Sequence, residues 1–341
     1  MHITEGIITG TPAVLYTAAG IALVGYGTTK MKKFAIQFPE KRPLLGMAGA
    51  LIFFISLLPI PAFTGTCSHP CGTPFIAILF GPAIAIALTG GSLLLQAAFF
   101  AHGGFGTWGA NVVALGFFGC VAGWTVFTVF RKIGFPLWAA GFAGGLVGDV
   151  AVYAASGLIL AGQLTHAPTP QYSFIGYLTV IYAAYLPTQL PIAISEMVIT
   201  GLAIHYICKQ RPEVLVDLGL VKNALAPPRT SSKLSPLSIV LLSTLLLSTG
   251  DHAFAAGERK LPPSQYTASQ MHLPEAANSF SGMDEAVNEK LAEDAGLTPK
   301  DPLINTEAMG DLWNGLLLIA GGACGFIIGR WWHLIAKRGA S

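Results

Sequence analysis

A bundle of membrane-spanning α-helices is the fold class this sequence predicts, and three observations carry it. Only 11% of the 341 residues are charged, against about 25% in soluble chains. The composition is 53% hydrophobic, with a mean hydropathy of +0.62. Apolar runs of spanning length, roughly 20 residues each, recur along the whole chain. An all-α, polytopic membrane protein follows, and an ordinary soluble globule is excluded.

The first span is expected over 8–29. No small-residue cleavage site follows it, so it reads as an uncleaved helix. Lys30, Lys32 and Lys33 close it, and Lys41 and Arg42 precede the second span, 43–63. A tight polar loop follows, Thr64-Gly65-Thr66-Cys67-Ser68-His69-Pro70-Cys71-Gly72-Thr73. The apolar stretch 75–101 comes next, then spans over 108–130, 135–163 and 173–208. Basic residues cluster at 30–42, at Arg131 and Lys132, at Lys209 and Arg211, and at Lys337 and Arg338. By the positive-inside rule all four places are cytoplasmic, which puts the N-terminus and the His69 loop outside. A single pass through 75–101 would leave Arg131 and Lys132 on the wrong side. Two short helices broken near Thr89-Gly90-Gly91, as a thin hairpin or a re-entrant loop, remove the conflict, because such breaks are tolerated where they line a cavity. Met1, His2, His69 and the His102-Gly103-Gly104 turn then converge on the outer face.

After Lys209 the character changes. Residues 1–212 form one membrane module, 213–233 a polar cytoplasmic linker with Pro227 and Pro228, and 234–341 a second module. That module reads as two spans, 234–250 and 311–335, around an acidic outer loop, 251–310. The loop carries 10 Asp and Glu against 4 Lys and Arg, while the rest of the chain carries 7 against 15. The split reports topology and gives no support to a nucleic-acid partner. Low hydrophobicity predicts that the loop is partly disordered.

The chemistry starts at Met1-His2. A bulky residue at position 2 favours retention of Met1. The α-amine, the deprotonated His2 amide and the His2 imidazole then close two fused chelate rings in one plane. Tetragonal nitrogen sites suit Ni(II) or Cu(II), and one equatorial position stays open. An exposed terminal histidine is the plain alternative for His2.

Several short stretches recur in order: Met1-His2-Ile3-Thr4-Glu5-Gly6, Ser68-His69-Pro70, Gln96 through His102-Gly103-Gly104, Gly109-Ala110-Asn111, and Pro191-Ile192-Ala193-Ile194-Ser195-Glu196. Together they resemble the CbiM/NikM family, the substrate-binding (S) components of energy-coupling-factor cobalt and nickel transporters, over most of residues 1–212. The resemblance implies that the ion is held by Met1, by the amide and imidazole of His2, and by His69. It also implies a transmembrane coupling (T) subunit of the NikQ/CbiQ type and an ATP-binding subunit of the NikO/CbiO type. Residues 234–341 resemble the small NikN/CbiN subunit in architecture, fused here to the C-terminus. The implied function is capture of Ni(II), or alternatively Co(II), for an ATP-driven, ABC-type importer in a prokaryotic inner membrane. No organic cofactor is implied.

Around the ligands, His102, Asn111 and Ser68 are candidates to orient an imidazole from behind. Cys67 and Cys71 flank His69 and depart from the family pattern, as additional ligands or as a reversible disulfide. Asp149 and Glu196 are costly in lipid, so they should face the protein interior or the cytoplasmic coupling surface. His205, His252, His272 and His333 lie away from the outer cluster. Ala18 and Ala22 would permit close helix packing on the first span. An intramembrane metalloenzyme is a competing class, but no H-E-x-x-H occurs. A redox protein using Cys67 and Cys71 is another, although C-x-x-x-C lacks the C-x-x-C spacing. No Walker A motif is present, so ATP hydrolysis belongs to a separate subunit.

Overall fold

The computed structural model describes residues 2–56, 60–61, 67–100, 102–221 and 283–300, with Cys67 and Ser68 described at their backbone alone. Met1, most of the linker and both spans expected in 234–341 lie outside the described residues. The elements are α1 (Gly10–Gln37), α2 (Arg42–Ile55), a two-residue ribbon of β1 (Ile60–Pro61) and β2 (Cys67–Ser68), α3 (Thr73–Phe80) and α4 (Pro82–Phe99). They continue with α5 (Trp108–Lys132), α6 (Leu137–Thr165), α7 (Phe174–Gln210), α8 (Pro212–Asp217) and α9 (Met283–Asp294). The fold is an all-helical membrane bundle, and α4, α5, α6 and α7 are each long and apolar enough to cross a bilayer.

Glycine allows the helices to approach closely. A Cβ on Gly27 of α1 would sit 2.2 Å from the Ala83 carbonyl of α4, and one on Gly201 of α7 would sit 1.9 Å from the Phe142 ring of α6. On α1 the buried face is Gly20 and Gly27, whereas Ala18 and Ala22 are exposed. The small-residue pair that predicted packing therefore points outward. Inside α7, Pro187 and Pro191 interrupt the backbone ladder, and Ser195 Oγ donates back to the Pro191 carbonyl at 3.0 Å. Neighbouring helices and such side-chain bonds make proline tolerable at membrane depth.

The stretch 75–101 is broken, but not where the glycine pair suggested. The break lies at Gly81, which adopts φ +84 and is followed by Pro82. Gly81 takes a backbone conformation that a side chain would strain, and Pro82 begins a new helix at a position where no amide donor is needed. α4 instead runs unbroken through Thr89-Gly90-Gly91. Gly90 is used for packing: a Cβ there would lie 2.4 Å from Val24 of α1, and its carbonyl accepts from Trp108 Nε1 at 3.0 Å.

The topology reconciles the charge clusters. Phe80, ending α3, meets Phe34 near the basic end of α1 with ring centroids 5.8 Å apart. α4 then returns, and Gln96 Nε2 donates at 2.6 Å to Ser56 Oγ, just past the opposite end of α2. The chain from 69 to 80 therefore descends as loop plus half-length helix, and α4 climbs back to where it started. Pro74 reaches the middle turns of α5 and α6, since a Cβ on Gly148 would lie 2.5 Å from its ring.

Two expectations change at the ends. Residues 212–217 are helix rather than linker, because Leu215 is buried and Lys41 Nζ donates to the Asp217 carbonyl at 3.0 Å. Within the acidic loop, 283–294 is helical and 295–300 follows as ordered backbone. Val287, Leu291, Ala292, Ala295 and Leu297 give this segment a buried apolar face.

Candidate functional site

Three histidines from three separate segments meet at one end of the bundle. His2 comes from the N-terminal segment, His69 from the descending loop and His102 from the turn between α4 and α5. One nitrogen from each lies within 4.8 Å of the other two. Ring centroids are 5.1 Å apart for His2 and His69, 4.1 Å for His2 and His102, and 5.3 Å for His69 and His102. His2 is 1% exposed and His69 6%. Both ring nitrogens of His2 lack a hydrogen-bond partner among the described residues. A buried polar group left this way normally costs free energy, so the cluster is shaped for something that supplies the missing contact.

Asn111 explains why the N-terminus folds inward. Its Oδ1 accepts from Ile3 N at 2.8 Å and its Nδ2 donates to the Ile3 carbonyl at 3.1 Å. Thr107 Oγ1 donates to the same carbonyl at 2.8 Å. The expectation that Asn111 would bond an imidazole is thereby corrected: its amide matches a backbone peptide, one donor to one acceptor, one residue past His2. A second anchor was not expected. Glu5 Oε2 accepts from Gly106 N at 2.7 Å. Gly104 and Gly106 leave room for that carboxylate, since a Cβ on them would lie 2.1 Å and 2.4 Å from its oxygens. The signal in the sequence was Glu5 in the opening hexapeptide together with the glycines of 103–106.

The loop of His69 is held from beneath. Gly72, at φ +68, donates its N–H to Glu196 Oε2 of α7 at 3.1 Å. Cys71 is buried with a free thiol directed at Asp149 of α6. It therefore stands outside the histidine cluster, and its candidacy as a ligand is not supported by the geometry. Asp149 and Glu196 face the interior as expected, and they are both fully buried. Above, α9 packs against α6 and α7, and residues 298–300 lie over the N-terminal segment. Lys300 N donates to the Glu5 carbonyl at 2.9 Å, Thr169 N to the Ala295 carbonyl at 3.0 Å, and Gln171 Nε2 to the Asp294 carbonyl at 3.0 Å. Tyr185 of α7 bonds to Asn288.

The electrostatics keep the three rings neutral. Burial first, then the penalty of a second charge beside His102, holds His2 well below the ordinary imidazole range. Burial does the same for His69. The His102 ring, packed against both others, is lowered to about 4, again chiefly by burial. Neutral imidazoles with free lone pairs are the protonation state that metal coordination requires.

The arrangement has close counterparts. The family model "Cobalt uptake substrate-specific transmembrane region" (CbiM) matches residues 2–214. The chain belongs to the CbiM family. The cobalt transport protein CbiM of Geobacter sulfurreducens is 37% identical over 342 residues, covering 99% of this chain and 91% of the relative. That of Sorangium cellulosum is 36% identical over 225 residues, covering 66% of this chain and 98% of the relative. A crystal structure described as a transition metal transporter superposes with a TM-score of 0.53 at 26% identity, over 64% of this chain and 99% of that one. As a CbiM-family member, the chain is an integral membrane component of metal uptake. The match with the Geobacter CbiM extends past the bundle into the C-terminal third, so that relative shares more than the metal-uptake region.

Proposed function

We propose that this chain is the substrate-capturing S component of an energy-coupling-factor importer, and that Co(II) is its cargo. The carrying observation is the cluster of three neutral imidazoles around which His2 leaves both ring nitrogens unpartnered. Met1, His2 and His69 are the proposed ligands, with the free α-amine and the His2 amide completing the chelate. Residues 1–212 form the metal module, and 234–341 a NikN/CbiN-like module joined by the linker. The relatives' names favour cobalt. The in-plane chelate chemistry of a Met-His terminus favours Ni(II) as the second reading.

The basic end of the bundle faces the cytoplasm in this reading, and the histidine end faces outward. ATP hydrolysis is supplied by a CbiO/NikO-type subunit through a CbiQ/NikQ-type coupling protein. The exposed Ala18 and Ala22 face of α1 offers close approach to such a partner. Elemental analysis of the purified chain, with its native N-terminus, after growth in mixed cobalt, nickel and zinc tests the proposal. One equivalent of cobalt supports it, and one equivalent of nickel keeps the importer reading but replaces cobalt by the second reading. Stoichiometric zinc, or no metal, overturns it.

A further inference from the structure

We propose that Asp149 and Glu196 form a second cation site, near mid-membrane below the histidine cluster, which takes one divalent ion on oxygen ligands. This rests on the reading of the chain as a divalent-cation importer. Between Arg42 and Lys209 these two are the only acids, and Arg131 and Lys132 are the only lysine or arginine. Asp149 lies near the middle of α6 and Glu196 near the middle of α7. Both are fully buried, and neither forms an ion pair among the described residues. An ionisable side chain at that depth is costly in lipid, and it marks a function with a partner to be named.

The two carboxyl groups meet at one turn of chain. Glu196 Oε2 accepts from Gly72 N at 3.1 Å, and the Cys71 thiol, one residue earlier, is directed at Asp149. α6 and α7 touch at this level. A Cβ on Gly145, one turn before Asp149, would lie 2.9 Å from the Glu196 carbonyl and 3.0 Å from Thr200 Oγ1. Four oxygens of these three residues have no hydrogen-bond partner among the described residues: both of Asp149, Oε1 of Glu196, and Oγ1 of Thr200, which stands beside Glu196. An ionised carboxylate only accepts, so the three carboxylate oxygens cannot satisfy one another. A proton would bridge one pair, whereas a cation draws in several at once. One divalent ion also balances the two negative charges, which burial would otherwise make prohibitive. Carboxylate and hydroxyl oxygens suit hard divalent ions such as Mg(II) and Mn(II). The backbone provides a fitting frame: α3 starts at this depth with Gly72 as its cap, and ion sites near the bilayer midplane characteristically sit at the ends of interrupted helices.

The test is Mn(II) binding to the full-length chain in detergent, with its native N-terminus and one equivalent of Ni(II) loaded first to occupy the histidines. Mn(II) is the probe because it prefers oxygen ligands and its free ion is read directly by electron paramagnetic resonance. The wild type is expected to take up one equivalent of Mn(II) more than Asp149→Asn. Any Mn(II) held by the acidic residues of 251–310 cancels, because both proteins share them. Equal uptake overturns the site. So does an infrared band of a protonated carboxyl that the wild type keeps with Mn(II) present and Asp149→Asn lacks, which would assign the position to a proton. If Asp149→Asn does not fold, Glu196→Gln, which keeps an acceptor for Gly72, carries the same comparison. A chain that retains neither Ni(II) nor Co(II) in the loading step removes the importer reading, and the Mn(II) difference is read separately from that step.

Discussion

Glu196 on α7 accepts the backbone N–H of Gly72 at 3.1 Å, three residues past His69, and so ties a transmembrane helix to the metal loop. Gly72 opens α3 in a left-handed conformation, so its amide is a helix-terminal donor with no partner inside the helix. Glu196 fills that role from a fully buried position. Movement of α7 would be felt at His69 through this bond.

Removing the carboxylate should loosen the loop. Glu196→Ala is expected to weaken Co(II) affinity by roughly 10–100-fold, the range typical of groups that position ligands from behind. Glu196→Gln keeps an acceptor for Gly72 and should stay much closer to the wild type. Calorimetric titration of both variants checks this, and equal losses would show that charge rather than the hydrogen bond matters.

Asn111→Ala should release the N-terminal segment. It deletes two bonds to the Ile3 backbone and leaves a buried amide donor unpaired, a loss of about 1–3 kcal/mol. Thr107 still holds the Ile3 carbonyl, so the segment loosens rather than detaches. Asn111→Asp keeps the acceptor for Ile3 N but sets its second oxygen against the Ile3 carbonyl, acceptor facing acceptor in a buried place, and should cost at least as much. Hydrogen exchange at Ile3 N–H reads the effect directly.

Adding one residue before Met1 should abolish tight binding while the bundle stays folded. His2 is 1% exposed, and an added residue converts the α-amine into a peptide nitrogen. Retention of one tightly held Co(II) or Ni(II) by such a protein would sink the chelate assignment.

Acid should open the N-terminal segment of the metal-free protein. His102 is lowered to about 4, whereas an unfolded histidine titrates near 6.5. Between those values the opened form binds more protons than the packed one, so stability rises with pH there. The contribution is complete above about 6.5 and is lost progressively as the pH falls to about 4. His2 and His69, shifted in the same direction, add to it. Protection factors at residues 3–6 should hold from pH 8 to 6.5 and then decline. A flat profile down to pH 4 would contradict the buried, neutral state.

Much of this was legible before the structure. Hydropathy located the helices between residues 10 and 210, and the meeting of His2, His69 and His102 was expected from the loops that carry them. What was not legible depended on contacts between distant residues. Gly90 and Gly91 read as a break because nothing local reveals that Val24 fills the space beside Gly90. Asn111 read as a partner for an imidazole because its match to the Ile3 peptide spans 108 positions. Residues 283–300 read as loop because their apolar positions are few, yet those few are buried.

The C-terminal segment should set how fast the site opens. Residues 298–300 lie directly on the N-terminal segment: Lys300 N donates to the Glu5 carbonyl, and a Cβ on Gly6 would lie 2.8 Å from both Lys300 N and the Thr298 carbonyl. Gly6 also sits at φ +86, so Gly6→Ala is strained and displaces the segment at once. Deleting 230–341 removes the segment altogether. Every proposed ligand of the histidine site precedes residue 103, so both variants should still bind one equivalent of metal there, with equilibrium affinity changed by less than about tenfold. Both should release it faster than the full chain in a chelator-chase measurement, and both should lower uptake. The acidic residues on α9 could contribute separately by attracting cations, an effect screened beyond about 8 Å at physiological salt. Neutralising Asp284, Glu285, Glu289, Glu293 and Asp294 together isolates that part: attraction predicts a salt-sensitive fall in the rate of metal capture with an unchanged rate of release. If the truncated protein releases metal and transports at the full-length rates, the C-terminal segment has no role in uptake.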